Sequence, residues 1–137
     1  MPGPALRLPA LTSLRSPALA GIIDAVLVLV FAGVGRASHD ERNPLLGAVV
    51  TAWPFLVGAA LGWALVRWRS QRWPVDLGPG IVVWVATVVV GMLLRALTRQ
   101  GTAASFILVA TLFLGVVLVG WRALVARFGA RDASVPH

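Results

Sequence analysis

The chain has no cysteine and no lysine, and only five of its 137 residues are acidic. The missing cysteine excludes disulfides, thiolate nucleophiles, iron–sulfur clusters and Cys-ligated zinc, and with them the membrane enzymes of disulfide exchange. Charge is scarce altogether, at 12% of residues against roughly 25% in an average soluble domain. The charge that is present leans one way, because all twelve basic residues are arginine and the formal net charge is +7. In a nucleic-acid-binding domain such an excess forms a basic stripe on a soluble fold. Here the arginines fall between apolar runs, so anionic lipid headgroups are the expected counter-charge and no nucleic-acid partner is expected.

Apolar residues make up 58% of the chain. A single domain of this size buries only about two-thirds of the surface that its unfolded chain exposes, so lipid must solvate the remainder. Four apolar segments carry that surface: Pro17 to Gly35, Leu45 to Val66, Gly78 to Leu97 and Ala103 to Val125. Each is near the ~20 residues that cross a ~30 Å hydrocarbon core as a helix. The linkers between them are short and polar, which makes neighbouring spans antiparallel, and backbone in lipid is satisfied only in helices or closed barrels. Runs of this length without alternation are helical. The predicted fold is therefore all-α, a polytopic four-helix transmembrane bundle over residues 17–126, with flexible tails at 1–16 and 127–137. Arg7 and Arg15 ahead of an apolar stretch resemble a signal peptide, but Asp24 interrupts that stretch, and the segment is read as a retained span.

Arginine placement predicts the orientation. Arg7, Arg15, Arg67, Arg69, Arg72, Arg122, Arg127 and Arg131 fall on one side, against Arg36, Arg42, Arg95 and Arg99 on the other. The positive-inside rule puts both termini in the cytoplasm of a bacterial plasma membrane. Tryptophan, which prefers the interface, points the same way: Trp63, Trp68, Trp73, Trp84 and Trp121 lie near the predicted cytoplasmic boundary, and Trp53 alone lies in the other half. There is no internal repeat of the kind from which inverted-repeat transporters are built.

Helical periodicity sorts the polar and small residues into faces. The first span aligns Gly21, Asp24, Val28, Phe31 and Gly35. The second aligns Gly47, Thr51, Pro54, Gly58 and Gly62, the third Trp84, Thr87, Gly91, Arg95 and Thr98, and the fourth Thr102, Ser105, Leu108, Leu112 and Gly115. Gly58-Ala-Ala-Leu-Gly62 is a GxxxG pattern, which brings two helix backbones close, within the chain or across a dimer. Pro54 predicts a kink that borders either an aromatic wedge or a pocket.

Two polar places stand out, since ionisable groups inside spans are costly. Asp24 is a buried carboxylate that needs donors, with Trp63, Trp84, Thr87, Arg67 and Arg122 as candidates at similar depth. It reads either as a paired anchor or as a proton-coupled group. Near the other membrane face, Arg95 to Ser105 concentrates two guanidiniums, an amide and three hydroxyls at a tight turn. An arginine fork binds carboxylate or phosphate, and the free N–H groups at the next helix start favour an anion. The alternative is a snorkelling arginine with Thr102 as N-cap. The first loop brings Arg36 and His39 to the same face. His39, Asp40 and Glu41 are consecutive and lack familiar metal-ligand spacing, so no metal is expected.

Gly35-Arg36 with His39, Thr51-Ala-Trp-Pro-Phe-Leu56, Gly91-Met-Leu-Leu-Arg95, Gln100-Gly-Thr-Ala, Ser105-Phe106 and Gly120-Trp-Arg122 together resemble the uncharacterised prokaryotic membrane-protein family catalogued as domain-of-unknown-function family 3054. The resemblance covers roughly residues 20–125. It implies a four-span protein without an assigned activity.

Three functional expectations compete. The first is a non-catalytic binding or accessory protein whose outer-side pocket, formed by Arg36, His39, Thr51, Trp53, Arg95, Gln100, Thr102 and Ser105, holds a lipid headgroup, quinone or small anion. The second is a small proton-coupled transporter acting as an oligomer through Asp24, which resembles the small multidrug exporters in carrying one carboxylate in its first helix. The third is a membrane enzyme; no nucleophile, metal set or cofactor motif accompanies His39, Asp40 and Glu41, and no cofactor is expected. Membrane lipids are the expected partners, with a homo-oligomer or a larger membrane complex as the expected setting.

Overall fold

A computed structural model describes residues 15–36 and 43–134. His39, Asp40, Glu41 and the N-terminal tail up to residue 14 lie outside the described residues. Helix α1 spans Pro17–Arg36, α2 Pro44–Ser70 and α3 Leu77–Leu97; α4 (Ala104–Leu114) passes through a π turn (Gly115–Val119) into α5 (Gly120–Ser134). The fourth span comprises α4, the π turn and α5 as far as Gly129. All four spans are long and apolar enough to cross a membrane, and the chain is a multi-pass membrane protein with a four-helix bundle.

Local chemistry sets the helix ends. Ser16 Oγ accepts the Leu19 N–H at 3.2 Å and Asn43 Oδ1 accepts the Leu46 N–H at 3.1 Å, and each cap is followed by a proline, whose fixed φ suits the first helical position. α2 ends at Gln71, which takes the left-handed conformation (φ 59°) so that its N–H reaches the Arg67 carbonyl. The turn from α3 to α4 needs two more positive φ angles, 58° at Arg99 and 97° at Gly101. The chain then re-enters the bundle at Ala104, with Ala103 as the N-cap residue and no side-chain cap. At the far end α5 continues to Ser134, past the boundary at residue 126 expected for the C-terminal tail.

The α2–α3 seam is the tightest contact. A Cβ on Gly58 would stand 2.9 Å from the Ala86 carbonyl oxygen and the Thr87 Cα, and one on Gly62 would stand 3.0 Å from the Val83 Cα. The GxxxG pattern is therefore used within the chain. Gly91 leaves room for the Phe55 ring, whose Cδ1 would be 2.3 Å from an added Cβ. Phe55 meets Phe31 edge-on at 5.3 Å, and around them Val28, Ala32, Ala52, Ala110, Leu114 and Leu118 complete the core.

The interior faces of α1, α2 and α3 follow helical periodicity: Asp24, Val28 and Phe31 are buried, as are Gly47, Thr51, Pro54, Gly58 and Gly62, and Thr87, Gly91 and Arg95. Gly35, at the end of the α1 face, and Thr98, at the end of the α3 face, are exposed. The fourth span departs from the expected face. Leu108 and Leu112 point outward, while Ala110, Leu114, Leu118 and Arg122 are buried. Successive four-residue steps of that kind drift by about 120° over three steps of an ideal α-helix, which has 3.6 residues per turn. The π turn, with its wider i→i+5 ring, absorbs the drift and keeps Leu118 and Arg122 facing inward. Trp84 sits where the turn opens: its Nε1–H donates to the Thr111 carbonyl at 2.9 Å, and its Cε2 would be 2.9 Å from a Cβ on Gly115.

Candidate functional site

Two polar clusters occupy opposite ends of the bundle. At one end Asp24, only 2% exposed, is enclosed by donors. Its Oδ1 accepts from Trp121 Nε1 and Arg122 Nη1, both at 2.9 Å. Its Oδ2 accepts from Trp63 Nε1 at 2.8 Å and Arg122 Nη2 at 2.7 Å. Arg122 is itself 1% exposed and also donates to the Pro74 carbonyl from Nε (3.1 Å) and Nη2 (2.8 Å), and to the Leu118 carbonyl from Nη1 (2.8 Å). Its stem crosses α3 at Gly80, where an added Cβ would stand 2.2 Å from Cδ. One bidentate pair thus ties α1, the α2–α3 loop and α5 together, with the Trp63 indole of α2 on the same carboxylate.

Of the donors expected for Asp24, Trp63 and Arg122 are in place. The others are committed elsewhere: Trp84 to the Thr111 carbonyl, Thr87 to the Val83 carbonyl, and Arg67 to the Gln71 carbonyl with its guanidinium over the Trp73 ring. Trp121 is the donor that sequence reading missed, because its position also suits an interfacial tryptophan. Its adjacency to Arg122 was the available signal. A small cavity of about 220 Å³ beside the pair is walled by Gly21, Ala25, Ala59 and Ala60, and its polar groups are the already bonded Asp24 and Trp63.

At the other end is a larger cavity of about 520 Å³. Of the residues expected there, Arg36, Thr51, Arg95, Gln100 and Ser105 line it, together with Phe31, Val50, Phe106 and Val109. Trp53 does not, because two residues beyond Thr51 is about 200° around an α-helix, and its ring is exposed on the outer face. Thr102 is exposed and lies before the Ala103 N-cap, so it neither caps α4 nor lines the cavity. His39 lies outside the described residues.

Arg95 is 8% exposed. Its Nε donates to the Gly101 carbonyl (3.1 Å), Nη1 to Gln100 Oε1 (3.3 Å) and Nη2 to the Gln100 carbonyl (3.0 Å). Its face lies over the Phe106 ring at 4.1 Å. Across the cavity Arg36 Nε donates to Thr51 Oγ1 at 2.7 Å. Arg95 therefore holds the α3–α4 turn through neutral oxygens, and among the described residues each terminal nitrogen uses one of its two N–H groups, since a guanidinium carries five donors. Phe106 was not foreseen as a platform for Arg95; its place directly after Ser105 was the signal. Among the described residues, no group of three or more His, Cys, Asp or Glu side chains comes together.

The family model described as "Protein of unknown function (DUF3054)" matches residues 21–125. The chain belongs to that family. The stretch shared with the family contains both clusters, from Asp24 through Arg36, Thr51 and Arg95 to Arg122. No curated protein and no solved structure matches the chain.

Proposed function

We propose that this family member is a non-catalytic binding or accessory protein of the membrane that holds an anionic group in the Arg95 cavity. The observation that supports this reading is the state of Arg95: a nearly buried guanidinium whose acceptors are neutral oxygens and whose unused N–H groups adjoin a cavity. A guanidinium stays charged and recognises carboxylate or phosphate with its fork. Arg36 adds a second cation to the wall, and Ser105 and Thr51 add hydroxyls. A lipid headgroup or small anion suits this charge better than a neutral quinone.

Hydrogen bonds to charged groups contribute about 1.5–3 kcal/mol, so Arg95→Ala is expected to weaken anion binding roughly 10- to 100-fold by calorimetry on the purified protein. Equal binding by wild type and a folded Arg95→Ala protein would remove this reading. The transporter alternative depends on Asp24. Its carboxylate is held by Arg122 and two indoles, which supports a structural anchor over a proton carrier, and unchanged proton flux in Asp24→Asn liposomes is the expected result.

We read the Arg95 end as the outer side of a bacterial plasma membrane and both termini as cytoplasmic. Arginine bias supports this, as does the gathering of Trp63, Trp68, Trp73 and Trp121 toward the Asp24 end. Reporter fusions at either terminus are expected to report a cytoplasmic location, and a periplasmic signal from both would invert the assignment.

A further inference from the structure

We infer that the anion held by Arg95 is the phosphodiester of an anionic phospholipid, taken up sideways from the bilayer. The inference rests on the binding reading above and adds the ligand class and the route.

The cavity wall has two characters. Arg95 and Arg36 supply charge, while Phe31, Phe106, Val50 and Val109 supply apolar surface. Val50 and Val109 are 39% and 57% exposed, and their chain neighbours Val49 and Leu108 are exposed too, so the apolar wall of the cavity borders the apolar surface that the bundle presents to its surroundings. A free anion would leave the apolar wall unused, whereas an amphiphile fills it with the part of its tails next to the headgroup.

Depth and size agree with that route. Arg95 is two residues from the end of α3 at Leu97, about 3 Å along the axis at 1.5 Å per residue, which places its fork near the headgroup boundary. A volume of about 520 Å³ lies within the roughly 300–1,000 Å³ of small-molecule sites, and so has room for a phosphodiester with its ester substituents. The bonds to Gln100 and Gly101 use one N–H on each nitrogen of Arg95, which leaves two of its five donors for the two non-bridging oxygens of a phosphodiester, a group with a single negative charge. A phospholipid presents the same oxyanion chemistry as free phosphate, but only the lipid also uses the apolar wall.

The test uses the full chain in nanodiscs and in detergent. Native mass spectrometry after equilibration with mixed phosphatidylglycerol and phosphatidylcholine is expected to show at least a tenfold preference for phosphatidylglycerol. Arg95→Ala should abolish the preference, and Arg95→Lys, which keeps the charge without the fork, should reduce it several-fold; thermal melts establish that each variant is folded. Arg69→Ala, an exposed arginine on the α2–α3 side of the bundle, should leave the preference intact; an equal loss there would make general basic attraction the cause and overturn the inference. Binding of inorganic phosphate or glycerol 3-phosphate in an Arg95-dependent way, without lipid preference, would overturn the lipid assignment and leave the anion site standing. Retention of fatty acid in place of phosphatidylglycerol would also overturn it. No binding of lipid, phosphate or glycerol phosphate would overturn both readings.

Discussion

Arg122→Leu is expected to cost about 3–5 kcal/mol of stability, because removing one partner of a buried ion pair strands the other without compensation. Here the stranded group would be Asp24, left with two indole donors in place of four N–H contacts. The same substitution frees the Pro74 carbonyl, which takes two bonds from Arg122, and so loosens the α2–α3 loop as well. Asp24→Leu should cost a similar amount by leaving the guanidinium buried. The double variant Asp24→Leu/Arg122→Met should recover a large part of the loss, since replacing a whole buried pair with apolar groups is often neutral or stabilising. Unfolding of the purified protein in mixed micelles, run as a double-mutant cycle, measures the coupling. Single-variant losses below about 1 kcal/mol would show that water reaches the pair and that it does not anchor the bundle.

Trp84→Ala is the second large effect, expected near 3 kcal/mol, the low end for removing a large aromatic because the ring is only partly buried. The loss should be accompanied by a change in the fourth span. Without the indole against Gly115 and its N–H on the Thr111 carbonyl, the π turn loses the wedge that lies at its opening. The amides of Gly115 to Val119 should then exchange faster or shift toward α-helical chemical shifts. Relaxing the turn would rotate Arg122 away from Asp24 by up to the phase that the turn absorbs, so Trp84→Ala and Arg122→Leu should be less than additive. Unchanged exchange at those amides would show that the π turn is set by the fourth span alone.

Much of the fold was legible because it follows from local quantities. The length and apolarity of each run determine a span; the Ser16 and Asn43 caps that start α1 and α2 were not read from the sequence, although each stands directly before a proline. The interior faces of α1 to α3 were legible for the same reason, since an uninterrupted α-helix keeps its period. The fourth span was misread because α4 is apolar on every side: Leu108 and Leu112 lie in its regular turns and face outward, while Ala110 and Leu114 are buried. Which face of such a helix packs inward leaves no trace in its own periodicity.

The two clusters show the same division. Asp24 and Arg95 stood out in the sequence as charges that apolar spans do not bear without reason. Which groups answer them was decided by tertiary structure. Several donors lie at similar depth to Asp24, and only the packing that bares Gly80 and turns Arg122 inward selects among them. At the other end, sequence spacing placed Arg36, Thr51, Arg95, Gln100 and Ser105 on one membrane side, but depth alone cannot tell a residue on the inner face from one on the outer. Trp53 and Thr102 share that depth and miss the cavity.

The sequence alone therefore determined that this chain crosses the membrane, that it does so four times, and which of its charges are out of place in lipid. These follow from the cost of leaving apolar surface in water and charge in hydrocarbon, both properties of a residue and its near neighbours. The tertiary structure decided which partners meet the charges, how the fourth helix is phased, and which polar residues share a cavity. Those depend on the close approach of helices at Gly58, Gly80, Gly91 and Gly115, where the room left by a missing side chain sets which atom from another span arrives there.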